Sequence, residues 1–286
     1  MEIGFIGIGV MGHAIVSHLQ NAGHTLHVYN RTKAKADDLV ARGAVWQETP
    51  QKVAAASEII FTMVGYPTDV EEVYYGPVGI FQSDVSGKTL VDLTTSTPSL
   101  AEKIATTAKE KGAVSLDAPV SGGDLGAKNA TLTIMVGGEE ETFNQLRPLF
   151  EIIGKRYTLH GGPGKGQHTK MANQIMIAGT MTGMTEMLVY SKAAGLNQPK
   201  VIETLAGGSA SNWSMENYGP RILKADYSPG FFVKHFIKDL KIALDEAEKM
   251  ELDLPATRLA KELYEKLADK GFENEGTQAL IKLWWD

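Results

Sequence analysis

In the first half of the chain, apolar positions fall in short continuous runs separated by segments of helical spacing. Glu2-Ile3-Gly4-Phe5-Ile6 is one such run, and Thr25 to Tyr29, Glu58 to Val64, Thr89 to Leu93 and Ala113 to Asp117 are others. Apolar runs of this length, bounded by turn signals, read as strands buried on both faces. Residues 33–42, 50–56, 68–74 and 99–112 read as helices, with Pro50 and Pro67 at the starts of two of them. A short strand at 44–46, strands at 131–136 and 155–159 and an acidic helix at 139–150 extend the pattern. Alternation of this kind predicts a mostly parallel sheet with helices on both faces and ligands at the carboxyl ends of the strands. The loops that follow strands, 65–67, 94–97 and 118–126, therefore become the places to look for chemistry.

The pattern changes at Gly161-Gly162-Pro163-Gly164-Lys165-Gly166. Beyond this loop every apolar stretch has helical spacing. Residues 167–194 contain no proline and read as one helix, roughly 40 Å long, followed by helices at 199–205, 213–223, 232–250, 255–270 and 277–285. Two domains are expected, 1–162 and an all-α domain 163–286 that serves substrate binding and dimerisation. The long helix would begin the second domain and turn its first residues toward a cofactor cleft. Met171, Met176, Met181, Met184 and Met187 read as core filler at helical spacing. Gly179 and Gly183 each cost that helix about 1 kcal/mol relative to alanine, a cost that close helix packing would offset.

Composition narrows the function. The 286 residues are 43% hydrophobic and 22% charged, enough for sizeable cores, and the net charge of −6 argues against nucleic acid as a partner. No cysteine is present, which excludes disulfides, a thiolate nucleophile and a cysteine zinc site, and fits a reducing compartment such as the cytoplasm. The N-terminus reads as a strand with no secretory signal. None of the 7 histidines pairs at metal-ligand spacing, so no metal is expected. The longest hydrophobic stretch, 171–190, contains Asn173, Gln174 and Glu186, and reads as a buried helix with no call for a membrane.

The first strand runs into Gly7-Ile8-Gly9-Val10-Met11-Gly12 and then into a helix. This is the arrangement of a dinucleotide-binding turn. Gly7 permits the tight bend, Gly9 allows backbone N–H groups to approach a pyrophosphate, and Gly12 lets the helix lie close on the strand, with Val10 and Met11 in the cradle. The fold class that follows is α/β, a Rossmann-type doubly wound sheet followed by an all-α C-terminal domain. About 20 residues on, where an acidic residue would bind an unphosphorylated ribose, stand Asn30, Arg31 and Thr32. Arg31 and Thr32 suit a 2′-phosphate, so NADP is favoured, with NAD as the alternative. In the plainer reading Thr32 caps a helix starting at Lys33 and Arg31 is solvated.

Such a cofactor needs a proton carrier beside it. Lys170 lies one turn into the long helix with Asn173 at i+3 on the same face. Burial and the positive nicotinamide would lower the pKa of such a lysine and suit it to exchange a proton with a substrate hydroxyl. Periodicity does not separate Lys170 from Lys165. The segment Asp117-Ala118-Pro119-Val120-Ser121-Gly122-Gly123 follows a strand and can offer the Ser121 hydroxyl and the Gly122 and Gly123 N–H groups to a carboxylate.

Four segments in order, IGFIGIGVMG from Ile3, DAPVSGG from Asp117, GKGQHTKMANQ from Gly164 and KDLKIA from Lys238, resemble the β-hydroxyacid dehydrogenases. The resemblance runs through nearly the whole chain. It implies Lys170 as the catalytic acid/base, Asn173 as an orienting residue, and Ser121, Gly122 and Gly123 as holders of the substrate carboxylate. It further implies Thr95 near the nicotinamide, Met63 and Val64 on the adenosine side and Lys238 reaching the cofactor. The implied reaction moves a hydride between NADP(H) and a small 3-hydroxy acid or its semialdehyde, of the 3-hydroxyisobutyrate type, in a homodimer or homotetramer. Glyoxylate or succinic semialdehyde reduction is the alternative within the family. Oxidative decarboxylation of a phosphorylated sugar acid is disfavoured because no arginine cluster is evident. A non-catalytic cofactor-sensing or interaction module is disfavoured too, since a pure binder has no need of Lys170.

Overall fold

The computed structural model describes residues 1–285, and its contacts divide the chain into two units, Met1–Lys170 and Met171 onward. In the first, β1 (Glu2–Ile6), α1 (Val10–Asn21), β2 (Thr25–Tyr29), α2 (Asp37–Ala41), β3 (Val45–Trp46), α3 (Pro50–Ala56), β4 (Ile59–Thr62), α4 (Pro67–Tyr75), β5 (Thr89–Asp92), α5 (Pro98–Glu110) and β6 (Val114–Asp117) follow in turn. The six strands form one sheet in the order β3-β2-β1-β4-β5-β6, every pair parallel. The chain steps outward from β1 to β3 and then returns to the other side of β1 with β4. This reversal opens a crevice at the carboxyl ends of β1 and β4, where sheets of this topology bind dinucleotides. The expected Rossmann-type domain is the one observed.

Neighbouring residues of a strand point to opposite faces. Phe61 and Val91 therefore join the core formed with Ile15 and Leu19 of α1, whereas Ile60 and Leu90 join one formed with Val53 of α3, Tyr74 of α4 and Ile104 of α5. Both faces of the sheet are covered. That is why these strands read as continuous apolar runs.

Past β6 the structure departs from expectation. β7 (Val120–Ser121), α6 (Gly123–Lys128), β8 (Leu132–Val136), α7 (Glu140–Ile153) and β9 (Gly154–Leu159) build a separate three-stranded sheet, β7-β8-β9, with β7 antiparallel to β8 and β8 parallel to β9. Strands do form near 131–136 and 155–159, but they do not extend the parallel sheet. Asp117, the last residue of β6, makes an isolated antiparallel bridge to Gly137, and Pro119, lacking an N–H, cannot continue the ladder. The segment 118–126, read as a loop, holds a strand and the start of a helix; Gly122 and Gly123, at φ +130 and +62, turn one into the other. Thr32 makes no side-chain cap, and residues 33–36 form a 3₁₀ turn.

The long helix α8 (Lys165–Ala193) crosses the division between the units. In the second unit it is followed by α9 (Gln198–Ala206), α10 (Trp213–Leu223), α11 (Val233–Lys249) and α12 (Pro255–Leu267). α12 ends at Leu267, short of the expected residue 270, in a wide turn around Gly271 at φ +89, and residues 277–283 form a 3₁₀ helix. Phe236, Leu240 and Tyr264 centre one core; Met181, Met184, Leu188 and Met215 centre another. Met171 is buried too, but Met176 is 68% exposed and fills no core. An added Cβ on Gly179 or Gly183 would meet nothing within 4 Å, so close packing in this chain does not offset their cost. Among the described residues no helix is long and apolar enough to cross a membrane.

Candidate active site

At the carboxyl edge of the six-stranded sheet, each strand-end turn has its own fastening. Gly7 lies at φ +105, and a Cβ there would collide with the Met63 carbonyl that follows β4; one on Gly12 would collide with the Gly7 carbonyl. Gly9, by contrast, faces open space, and α1 starts with no side-chain cap and no acidic residue in its first turn. The unshared N–H groups of that turn, with the positive end of the helix, suit an anion. Backbone contacts thus require a glycine at positions 7 and 12, while the space beside Gly9 is open.

Asn30 bridges two turns. Its Oδ1 accepts from the Ile8 N–H at 3.0 Å, and its Nδ2 donates to the Thr32 carbonyl at 2.8 Å. The carboxamide is thus engaged in holding the backbone, and the neighbouring Arg31 side chain is the one offered to solvent. Arg31 is 87% exposed and lies 3.4 Å from Asp69. An exposed pair of that length adds little stability, so the guanidinium can exchange partners cheaply.

Met63 donates its N–H to the Ile6 carbonyl at 2.8 Å, and Val64 donates its N–H to Thr94 Oγ1 at 3.0 Å. Thr94 and Ser96 are buried, and Thr95 between them is half-buried. Gln167, fully buried in the first turn of α8, holds both flanks: its Oε1 accepts from the Ser96 N–H at 3.0 Å, and its Nε2 donates to the Thr94 carbonyl at 2.7 Å. Asp117 at the end of β6 accepts the N–H groups of Gly164 and Gln167, each at 2.8 Å. Burial raises the pKa of this carboxyl, and the backbone N–H groups oppose the rise.

One turn further along α8, Lys170 is 6% exposed and its Nζ donates to the Val120 carbonyl at 2.9 Å. A buried ammonium costs free energy unless polar partners receive it. Ser121, Gly122 and Gly123 follow Val120 directly, so the ammonium and the small-residue turn stand side by side. In the second unit Asn173 donates to Gln174 Oε1 at 2.7 Å, and Gln174 donates to Asp239 Oδ2 at 2.6 Å. Lys238 lies 3.0 Å from the other carboxylate oxygen of Asp239. Asn173 and Lys238, chosen separately in the sequence, are therefore ends of one chain of polar contacts.

Residues 2–162 match the family profile described as the NAD binding domain of 6-phosphogluconate dehydrogenase. Residues 164–284 match that described as NAD-binding of NADP-dependent 3-hydroxyisobutyrate dehydrogenase. The chain is 50% identical over 281 residues to a probable 3-hydroxyisobutyrate dehydrogenase-like 1, mitochondrial, of Arabidopsis thaliana, covering 98% of this chain and 84% of the relative. It is 42% identical over 282 residues to the 2-hydroxy-3-oxopropionate reductase of Escherichia coli (strain K12), covering 99% and 96%. The chain belongs to the β-hydroxyacid dehydrogenase family. Its fold also matches Mycobacterium tuberculosis 3-hydroxyisobutyrate dehydrogenase with L-serine, with a TM-score of 0.91, 26% identity and coverage of 100% and 99%.

As a member of this family the protein is an oxidoreductase that uses a nicotinamide dinucleotide. Every site residue named from the sequence in the first unit, from Gly7 to Lys170, lies at the carboxyl edge of a strand or on the helix start beside it. Asp117, Gln167, Gln174 and Asp239 escaped the sequence reading. For Asp117 a signal was present: a lone acid closing an apolar strand must find partners once buried.

The double role of Asn30 makes a stability prediction. Asn30→Ala leaves the buried Ile8 N–H without its acceptor and should cost about 1–3 kcal/mol in urea unfolding. Dinucleotide affinity, read by fluorescence titration, should fall with it because the glycine turn loses its brace; unchanged stability and affinity would refute the brace.

Proposed function

We propose that this protein transfers a hydride between NADP(H) and a small 3-hydroxy acid or its semialdehyde, with Lys170 as general acid/base. The observation that carries the reading is the Lys170 ammonium, almost fully buried and bonded to the Val120 carbonyl next to the Ser121-Gly122-Gly123 turn. A binding module gains nothing from burying that charge. The helical half matches an NADP-dependent 3-hydroxyisobutyrate dehydrogenase description, which favours a hydroxy acid over a phosphorylated sugar acid. The 42% identity to 2-hydroxy-3-oxopropionate reductase keeps semialdehyde reduction, including glyoxylate or succinic semialdehyde, as the second reading.

Bound at the glycine turn, the nicotinamide cofactor would supply or accept the hydride. The chain's own residues do the rest. Gly7, Gly9, Val10, Met11 and Gly12 hold the pyrophosphate, Met63 and Val64 line the adenosine side, and Arg31 with Thr32 takes the 2′-phosphate while Asn30 braces the turn. Thr95 borders the nicotinamide, and Lys238 contacts the cofactor. Ser121 and the N–H groups of Gly122 and Gly123 bind the substrate carboxylate, and Asn173 orients the substrate. In the reducing direction Lys170 Nζ gives a proton to the forming alkoxide oxygen. In the oxidising direction uncharged Nζ takes the hydroxyl proton.

Residues 1–162 form the cofactor domain and 163–286 the substrate and assembly domain in this reading. A cytoplasmic setting suits a chain without cysteine. For assembly we favour a homodimer or homotetramer. α8 presents an uncharged groove of about 610 Å³, lined by Ile175, Met176, Gly179, Gly183 and Met187, with exposed Trp213 nearby in sequence to lining residue Asn212. Its two glycines have no neighbour in this chain to require them, and a second copy against the helix would.

Activity with 3-hydroxyisobutyrate, serine, 3-hydroxypropionate, 4-hydroxybutyrate, glycerate and their carbonyl partners tests the reaction. Lys170→Ala should depress turnover about 10²- to 10⁴-fold with near-normal cofactor binding; loss of binding instead would make Lys170 a structural residue. Arg31→Ala should weaken NADP about tenfold or more while NAD changes little, and equal losses would remove the 2′-phosphate assignment. Sedimentation velocity should give a dimer or tetramer that Gly183→Arg dissociates; a monomeric wild type would exclude the groove as a self-association face.

A further inference from the structure

The reaction assigned above uses Lys170 and the turns around it, but it leaves unexplained a buried carboxamide three residues before the lysine. Gln167 grips Thr95 by both of its peptide neighbours, accepting from the Ser96 N–H and donating to the Thr94 carbonyl. The same residue gives its own backbone N–H to Asp117 Oδ2. Three groups of one residue thus tie the loop after β5, the end of β6 and the first turn of α8 to each other. There is no slack around the joint. A Cβ on Gly166 would stand 2.5 Å from the carbonyls of Asp117 and Met135, and one on Gly137 would stand 2.5 Å from Asp117 Oδ1.

We propose that Gln167 is the positioning residue of the site: it fixes the loop carrying Thr95, on the nicotinamide side, to the helix turn that carries Lys170. This rests on the reading of Lys170 as acid/base and of Thr95 as the nicotinamide-side residue. Gln167 acts on the backbone that carries each of those groups. A glutamine suits the task because its amide offers one acceptor and one donor in a fixed plane, matched to an N–H and a carbonyl two residues apart. It is also neutral, so a fully buried side chain carries no desolvation cost for a charge. Leucine or methionine would fill the volume and leave the Thr94 carbonyl and the Ser96 N–H unpaired.

Two variants test this with binding measurements that need no substrate. Gln167→Ala should weaken the nicotinamide dinucleotide about tenfold, the size expected when two hydrogen bonds holding its loop are lost. Binding of 2′-phospho-ADP-ribose, which lacks the nicotinamide, should be unchanged. Gln167→Glu retains the shape but, ionised, sets a carboxylate oxygen against the Thr94 carbonyl; protonated, it restores one donor and one acceptor. Burial raises the pKa of that carboxyl, and Asp92 and Asp117 on the adjoining hydrogen bonds raise it further, whereas Lys170 one turn away lowers it. Dinucleotide affinity of Gln167→Glu relative to wild type should therefore recover as pH falls through that pKa, and be lost as pH rises.

Equal losses for the dinucleotide and for 2′-phospho-ADP-ribose, or a Gln167→Glu profile parallel to wild type at every pH, would make Gln167 a structural residue only and overturn the proposal. If Gln167→Ala does not fold, the Gln167→Glu pH profile decides alone. A wild-type protein that turns over no hydroxy acid or semialdehyde, yet shows the binding difference, would overturn the reaction assignment and leave the clamp on the nicotinamide loop standing.

Discussion

A carboxylate with almost no access to water must be received by hydrogen bonds or give up its charge, and the first unit is arranged around one such group. Asp117 closes β6, and its two oxygens take the N–H groups of Gly164 and Gln167 at the start of α8. A helix start has four N–H groups without intrahelical partners, and a buried acid needs donors. Each deficiency supplies the other's remedy. Burial and backbone bonds pull the Asp117 pKa in opposite directions, with burial the larger. The joint leaves no room for displacement, because the glycines around it let backbones touch.

From that joint the edge of the sheet is fastened outward. Gln167 reaches the turn after β5, Thr94 of that turn reaches Val64 after β4, Met63 lies against Gly7 after β1, and Asn30 after β2 reaches Ile8. Turns that are far apart in sequence are thereby held as one rim. Loops are ordinarily the mobile part of a fold; here each is secured by its neighbour, leaving Gly9 and Arg31 with outward-facing room. A rim of that kind meets the requirement that reacting groups be held close to their productive geometry before the ligand arrives.

How far the sequence revealed this depends on whether a feature is local. The glycine turn was legible because Gly7, Gly9 and Gly12 act within six residues, and their tasks follow from backbone sterics. Continuous apolar runs revealed the parallel sheet, because burial on both faces erases alternation. The separate sheet of β7, β8 and β9 was hidden, since strands at 132–136 and 154–159 look the same whichever partner they take. Only Pro119 marks the break. Gln167 was hidden for a similar reason: its side-chain partners are more than 70 residues away, and a polar residue in the first turn of a helix looks solvated until the rest of the sheet is in place. Met176 shows the converse error, an apolar residue at core spacing that the structure leaves exposed.

Three carboxamides do the fastening, and their chemistry explains the choice. Asn30 accepts from Ile8 and donates to Thr32; Gln167 accepts from Ser96 and donates to Thr94; Gln174 accepts from Asn173 and donates to Asp239. In each case the partners are of fixed type, an N–H on one side and a carbonyl or carboxylate on the other, so only one orientation of the amide satisfies both. A carboxylate in those positions would repel one partner, and an ammonium would repel the other. Amides also hold their hydrogen-bonding pattern through the pH range in which a proton carrier must change state. In the reaction proposed for this site, two duties thus fall to different residues: the amides, with Asp117, hold the backbones in place, and Lys170 carries the proton.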